Sequence, residues 1–390
     1  MIKKLIDVYK KTYETSENPR IFFSPGRVNL IGEYTDISGG HVLPCALKIG
    51  TYVAAQKRDD QLINLYSINI DERGVESVTL SDSYDLSGSW TDYPKGVLQI
   101  FADEGHMPSS GLNLCFYGNI PNSSGLSSSA SLELAMSVVL NSLFEFGLSP
   151  VEMVKYSQRA ENNFVGVQCG IMDQFIIGMG RENHAILLDT STLDFQYAPV
   201  ELGDYALVVT NSNKKRGLAD SKYNERVAQC KSALEAVNTI RVTESLGSLS
   251  ADEFERVAHA IVDRVELKRA RHAVYENQRT LKAAKALEEG RLVDFGLLMN
   301  ESHRSLKEDF EVTGHELDTL VELSQAFDGV IGSRMTGAGF GGCTVTLIKK
   351  DKIKQFIDEI GTAYESAVGY KADFYPVAIG DGAKEICIGE

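Results

Sequence analysis

The chain has 390 residues, 43% hydrophobic and 24% charged, with a formal net charge of −15. This composition excludes a disordered or fibrous chain. The basic residues are dispersed, with only short clusters such as Lys214-Lys215-Arg216, which excludes a polyanionic partner such as nucleic acid.

The length suits two domains, since single cores rarely grow beyond roughly 250–300 residues. Ile2, Leu5, Ile6, Tyr9 and Tyr13 recur at helical spacing, so the first residues predict an amphipathic helix rather than an export signal. Arg20–Phe23 reads as a short strand ended by Ser24-Pro25-Gly26. Gly50–Lys57, Leu62–Ser67 and the alternating, half-buried Gly111–Tyr117 read as further strands. PNSSGLSSSAS, residues 121–131, opens into a helix with one buried face, made of Leu132, Ala135, Met136, Val139, Leu140, Leu143 and Phe144. Ser149, Pro150 and Glu152 form a capping box for a second helix, which runs through Glu161 to about Phe164. Strands follow near Ala185–Asp189 and at Tyr205–Thr210, and residues 220–328 are mainly helical. The tail predicts strands at Gly329–Ser333, Cys343–Lys349 and Ala372–Ala378, with a helix near Asp351–Ala367. Strands and helices segregate, which favours an α+β fold over a doubly wound sheet. The boundary is placed near 190–205, dividing residues 1–200 from 201–390.

Six cysteines are scattered without a C-x-x-C pair, predicting free thiols in a cytoplasmic protein. The seven histidines have no metal-ligand spacing, and no run approaches the roughly 18 apolar residues of a membrane span.

Three loops carry chemical information. Seven residues of PNSSGLSSSAS are Ser or Gly, and the loop leads straight into a helix. Free N–H groups and the dipole at a helix N-terminus bind phosphate, and small side chains let its oxygens approach the backbone. It is no Walker A loop, because the chain has no Gly-Lys pair. TGAGFGGC, residues 336–343, contains G-x-G-x-x-G, but a strand follows it rather than a helix. A dinucleotide fingerprint is therefore disfavoured, and a glycine turn in close approach to another loop or ligand fits better. In CGIMDQF, residues 169–175, Asp173 sits among apolar residues as a cation partner, a base or a turn cap. GEYTDISGG, residues 32–40, presents Glu33 and Asp36 on either side of Tyr34 and Thr35. These are hydroxyl acceptors for a neutral polyol or caps of a surface turn.

SPGRVNLIGEYTDISGG, PNSSGLSSSASLELA and TGAGFGGCTVTLI together resemble the GHMP small-molecule kinases. CGIMDQF and SKYNER (Ser221–Arg226) make the galactokinase family the nearest among them. The resemblance covers almost the whole chain. It implies a two-domain α+β fold with an interdomain active site, and transfer of the γ-phosphoryl of ATP to the anomeric hydroxyl of galactose with Mg2+. It implies that Asp173 is the catalytic base and Arg27 its partner. The phosphate loop is Ser123, Ser124, Gly125, Leu126, Ser127, Ser128 and Ser129, and the Mg2+ ligands are Ser129 and Glu161. Glu33, Tyr34, Thr35, Asp36, Gly170 and Tyr223 fall at sugar positions, and Trp90 lies beside the adenine. Read without the resemblance, Glu161 is an exposed helix acid. The family commonly carries histidine where this chain has Tyr34. A cytoplasmic monomer without nucleic-acid or membrane partners is expected. A kinase for a related sugar (N-acetylgalactosamine or arabinose) and a non-catalytic galactose and ATP sensor are the alternatives.

Overall fold

The computed structural model describes residues 1–121, 125–214 and 219–387. Helix α1 (Ile2–Thr12) precedes strands β1 (Arg20–Asn29), β2 (His41–Val42), β3 (Pro44–Lys57), β4 (Leu62–Ser67) and β5 (Glu76–Thr79). Helix α2 (Asp92–Asp103), strand β6 (Leu112–Gly118), and helices α3 (Ser128–Phe144), α4 (Pro150–Arg159) and α5 (Met172–Met179) follow, then β7 (His184–Asp189) and β8 (Phe195–Pro199). The second half runs β9 (Tyr205–Asn211), α6 (Ala219–Asn238), α7 (Ala251–Val257), α8 (Arg264–Glu288), α9 (Leu292–Ser305) and α10 (His315–Ala326). It closes with β10 (Val330–Thr336), β11 (Cys343–Lys349), α11 (Ile353–Val368), β12 (Asp373–Val377) and β13 (Lys384–Ile386).

The first sheet has the order β13-β1-β3-β6-β4-β5, and both of its faces are covered. Alternate residues Phe22, Val53, Leu65, Leu114 and Phe116 pack under α2–α5. Their neighbours Ile21, Ala54, Tyr66 and Cys115 pack under Leu5 and Tyr9 of α1. The expected half-buried strand at Gly111–Tyr117 is thus covered on both sides, because the amphipathic α1 returns to the outer face. Helix α3 is likewise buried around most of its circumference, Glu133 and Ser137 included, rather than along one face. The capping box of α4 is present, with Ser149 Oγ accepting from Glu152 N and Glu152 Oε2 from Ser149 N.

Strand β1 does not stop at Ser24-Pro25-Gly26. It continues to Asn29 across a register shift, with Pro25 facing Gly50 and Arg27 facing Ala46. Such an irregularity absorbs a proline and re-aims the next side chain. The expected division at 200/201 falls in the connection between β8 and β9. Two features cross it. β13 returns to pair with β1, Ile21 opposite Ile386, and Val28, Leu30 and Leu43 share a core with Val209, Met299 and Val345. The second half is built on the sheet β10-β11-β9-β12. Among the described residues no helix is long and apolar enough to cross a membrane, and none of the six cysteines is in a disulfide.

Candidate active site

A cavity of about 440 Å³ lies where the two halves meet. Just past its register shift, β1 presents Arg27 toward the first turn of α5. The guanidinium and Asp173 form a bidentate pair, Nε to Oδ1 at 2.8 Å and Nη2 to Oδ2 at 2.7 Å, and Nη1 donates to Gly125 O at 2.6 Å. Ser127 Oγ donates to Asp173 Oδ2. A guanidinium has further N–H groups beyond these three, and they remain for an anion.

The serine loop enters α3 through Ser127, which is left-handed at φ 59°. Ser127, Ser128 and Ser129 line the cavity, so the unpaired N–H groups and positive dipole end of a 17-residue helix meet it. Gly125 also lines it, whereas Leu126 is core and its carbonyl accepts from Arg27 N at 3.2 Å. Ser123 and Ser124 lie outside the described residues. Beyond α4 the chain widens into a π-type turn, Ala160–Val165, a feature frequent at functional sites. This turn carries Glu161, which is buried rather than exposed, and Ser129 lies near enough to favour its ionised form. Gln174 Nε2 donates to Glu161 Oε2 at 2.6 Å and to Glu133 Oε2 at 3.1 Å. Burial and the neighbouring Asp173 charge push the Glu161 carboxyl up. Burial and then Glu161 push Glu133 further above its ordinary range. Glu133 was missed at the level of sequence. Its signal is an acid within the apolar LELAMSVVL, one turn after the serine loop.

On the opposite wall Glu33 accepts from Gly337 N at 2.9 Å and Asn29 Nδ2 at 2.8 Å, and pairs with Arg334. The Tyr34 hydroxyl donates to Ala338 O at 2.6 Å. Its ring packs between Tyr223 and Phe310, at centroid distances of 5.4 and 4.6 Å. Tyr34 therefore sits partly in the helical core of the second half. Thr35 is buried with Oγ1 near Gly32 O and His41 O, where it closes the turn and does not line the cavity. Asp36 is half-buried against Gly170, where any Cβ would collide with Asp36 Oδ2. Burial, then the Asp173 charge, pushes the Asp36 carboxyl up to about 6. Tyr223 lines the same wall, its phenol pushed well up by burial and then by Asp36. Trp90 packs edge-on against Phe116 at 5.2 Å and does not line the cavity. The glycine run adds Gly337 and Ala338 to the wall. At Gly339, φ is +72° and a Cβ would collide with Val312 O, so the run is a close-approach turn.

Among the described residues, Glu33, Asp36, Glu161 and Asp173 line the cavity against one cationic side chain, Arg27. Phosphates brought here need an added cation. Ser129 and Glu161 offer adjacent hard oxygens, which suits Mg2+ completed by phosphate and water oxygens. Among the described residues no group of three His, Cys, Asp or Glu forms a protein-only cage.

The GHMP kinases N terminal domain model matches residues 92–181 and the GHMP kinases C terminal model residues 283–366. Together with the cleft between two α+β halves, they define a GHMP kinase. The galactokinase galactose-binding signature matches residues 7–57. The galactokinase of Clostridium acetobutylicum is 53% identical over 385 residues, 98% of each chain. That of Clostridium beijerinckii is 53% identical over 367 residues, 94% of each. The crystal structure of Lactococcus lactis galactokinase complexed with galactose matches at a TM-score of 0.96 and 45% identity, covering 99% of this chain and 100% of that one. The chain belongs to the galactokinase family and is a sugar kinase.

Proposed function

We propose that the protein transfers the γ-phosphoryl group of ATP to the anomeric hydroxyl of galactose, yielding galactose 1-phosphate and ADP. The observation that carries this reading is the Arg27–Asp173 pair. It stands between the amide-lined start of α3 and the Glu33/Asp36 wall, all around one cavity. Glu33 and Asp36 accept sugar hydroxyls. A hydroxyl bound to Asp173 gives up its proton to that carboxylate as the new O–P bond forms, an assistance typically worth about 10²–10⁴-fold. The remaining N–H groups of Arg27 and the first amides of α3 hold charge on the transferring group, where phosphoryl transfer depends most on positioning and electrostatics. Ser129 and Glu161 hold Mg2+, which when bound neutralises charge on the ATP phosphates. Gly170 leaves room for Asp36, and Tyr34 and Tyr223 wall the sugar side. Trp90 flanks adenine. The support is that α2, which follows it, packs on the turn bearing Glu161 so closely that a Cβ added at Gly96 would fall 3.1 Å from the Phe164 ring. Six cysteines without a disulfide among the described residues support a reducing, cytoplasmic setting, and we infer a monomer divided at 200/201.

The test is ADP release by the purified protein with ATP, Mg2+ and a panel of galactose, N-acetylgalactosamine, arabinose and glucose. Galactose is expected to give the highest kcat/KM. Preference for another sugar would move the substrate assignment. Tight galactose binding without ADP release would make the protein a sensor.

A further inference from the structure

The sugar-side loop of the first half is stitched to the end of β10 in the second. Thr336 Oγ1 donates to Asn29 O at 3.0 Å, Gly337 N to Glu33 Oε1 at 2.9 Å, and the Tyr34 hydroxyl to Ala338 O at 2.6 Å. At the centre is Arg334, 0% exposed and outside the cavity lining. Its Nη1 donates to Asn29 O and Leu30 O at 3.3 and 3.2 Å, and its Nε to Ser302 Oγ at 3.2 Å. Its Nη2 lies 2.5 Å from Glu33 Oε2, an ion pair without hydrogen-bond alignment.

The chain of contacts continues behind Arg334. Ser302 Oγ donates to Glu276 Oε1 at 2.5 Å. The Glu276 carboxylate also accepts from Gly32 N at 3.1 Å and from Arg279 Nε at 2.7 Å. Two arginines and two glutamates therefore form a network from α8 to the cleft wall, in which burial pushes the Glu33 carboxyl up against the pull of Arg334. Despite its burial, Glu276 is held down to about 2 by Arg279, His272 and Arg334. A buried ion pair gives little net stability over apolar side chains of similar volume. Stability alone therefore does not account for a fully buried arginine here. Its distinctive product is a carboxylate at the cavity with a defined direction.

We propose that Arg334 is a positioning residue for sugar recognition: reaching across from the second half of the molecule, it fixes the Glu33 carboxylate at the cleft wall, and sugar affinity depends on it although it touches no substrate. This rests on the galactokinase reading only for the identity of the sugar.

Lysine at 334 keeps the charge but loses the planar fork that serves Ser302, two carbonyls and Glu33 together. Arg334→Lys is expected to raise galactose KM about tenfold or more, with kcat and ATP KM within about twofold. Because the effect acts through Glu33, Glu33→Gln combined with Arg334→Lys is expected to be no worse than the worse single variant. A second double variant, Glu33→Gln with Arg334→Met, removes both charges and strands neither. It is expected to fold, and in calorimetry to bind galactose about tenfold more weakly or worse. The proposal is overturned by a wild-type galactose KM in Arg334→Lys, by a parallel rise in ATP KM, by multiplicative effects in the first double variant, or by wild-type galactose affinity in the neutral pair. If Arg334→Lys does not fold, Arg334→Gln with Glu33 intact takes its place in calorimetry, and wild-type galactose affinity there overturns the proposal. Wild-type turnover of galactose is measured alongside and tests the function separately. If it fails, the sugar selected by the panel replaces galactose in the binding measurements.

Discussion

Asp36→Asn is expected to make the unliganded protein more stable and the enzyme worse. Burial first, and the Asp173 charge second, raise the Asp36 carboxyl from 3.8 to about 6. The folded state then holds this proton more tightly than the unfolded state. Stability accordingly falls as pH rises from 3.8 to about 6 and levels off above that. The difference, about 6 minus 3.8, corresponds to about 3 kcal/mol at roughly 1.36 kcal/mol per unit. This is an upper bound, because Asp36 is half-buried and faces the cavity. The substituted amide cannot ionise, yet it keeps an oxygen for the Ile37 N–H that Asp36 Oδ1 now accepts at 3.0 Å. The stability of Asp36→Asn minus that of the wild type is therefore expected to grow from near zero at the acid end to its full value above pH 6. Urea unfolding at pH steps across that window measures it. Galactose KM is expected to rise about tenfold, since a charged hydrogen bond is lost, and wild-type galactose KM is expected to climb as pH drops below about 6. A pH-independent stability difference, or a variant less stable than wild type at neutral pH, would refute the reasoning.

Asp173→Asn is expected to retain galactose and ATP binding in calorimetry and to lose roughly 10²–10⁴-fold in kcat; near-normal turnover removes Asp173 from the base role. Gly170→Ala inserts a Cβ into Asp36 Oδ2, so the carboxylate must swing away and galactose KM rises with kcat less affected. An unchanged KM would mean that Asp36 can move without consequence for the sugar. Glu161→Gln is expected to raise the Mg2+ concentration for half-maximal activity by about tenfold or more, while galactose binding measured without Mg2+ stays as in the wild type. An unchanged Mg2+ requirement takes Glu161 out of the metal site.

Local chemistry was legible wherever neighbours in sequence supply it. The capping box at Ser149 and Glu152, the amphipathic face of α1 and the run of small residues into α3 depend on residues within a turn or two of one another. The glycine run at 337–342 likewise announces its left-handed turns, since few other residues adopt them. Other features depended on distant chain. The continuation of β1 through Pro25 and Gly26 is set by the facing register of β3. The second covered face of β6 exists because α1 folds back over it. The burial of Glu133 and Glu161 follows from α5, α3 and the π-type turn converging on Gln174.

Composition, caps, periodicity and the loop motifs were thus enough to determine the α+β class and to single out the small-residue run into α3 and carboxylates that prove to line the cavity. Only the tertiary structure decided that β13 closes the first sheet, that the Tyr34 hydroxyl is engaged with Ala338, and that Arg334, 301 positions beyond Glu33 in the sequence (334 minus 33), is its ion-pair partner. Backbone propensity and capping act within a few residues. The pairing of buried charges is set by which strands meet when the two halves share a core, and no local pattern encodes that meeting.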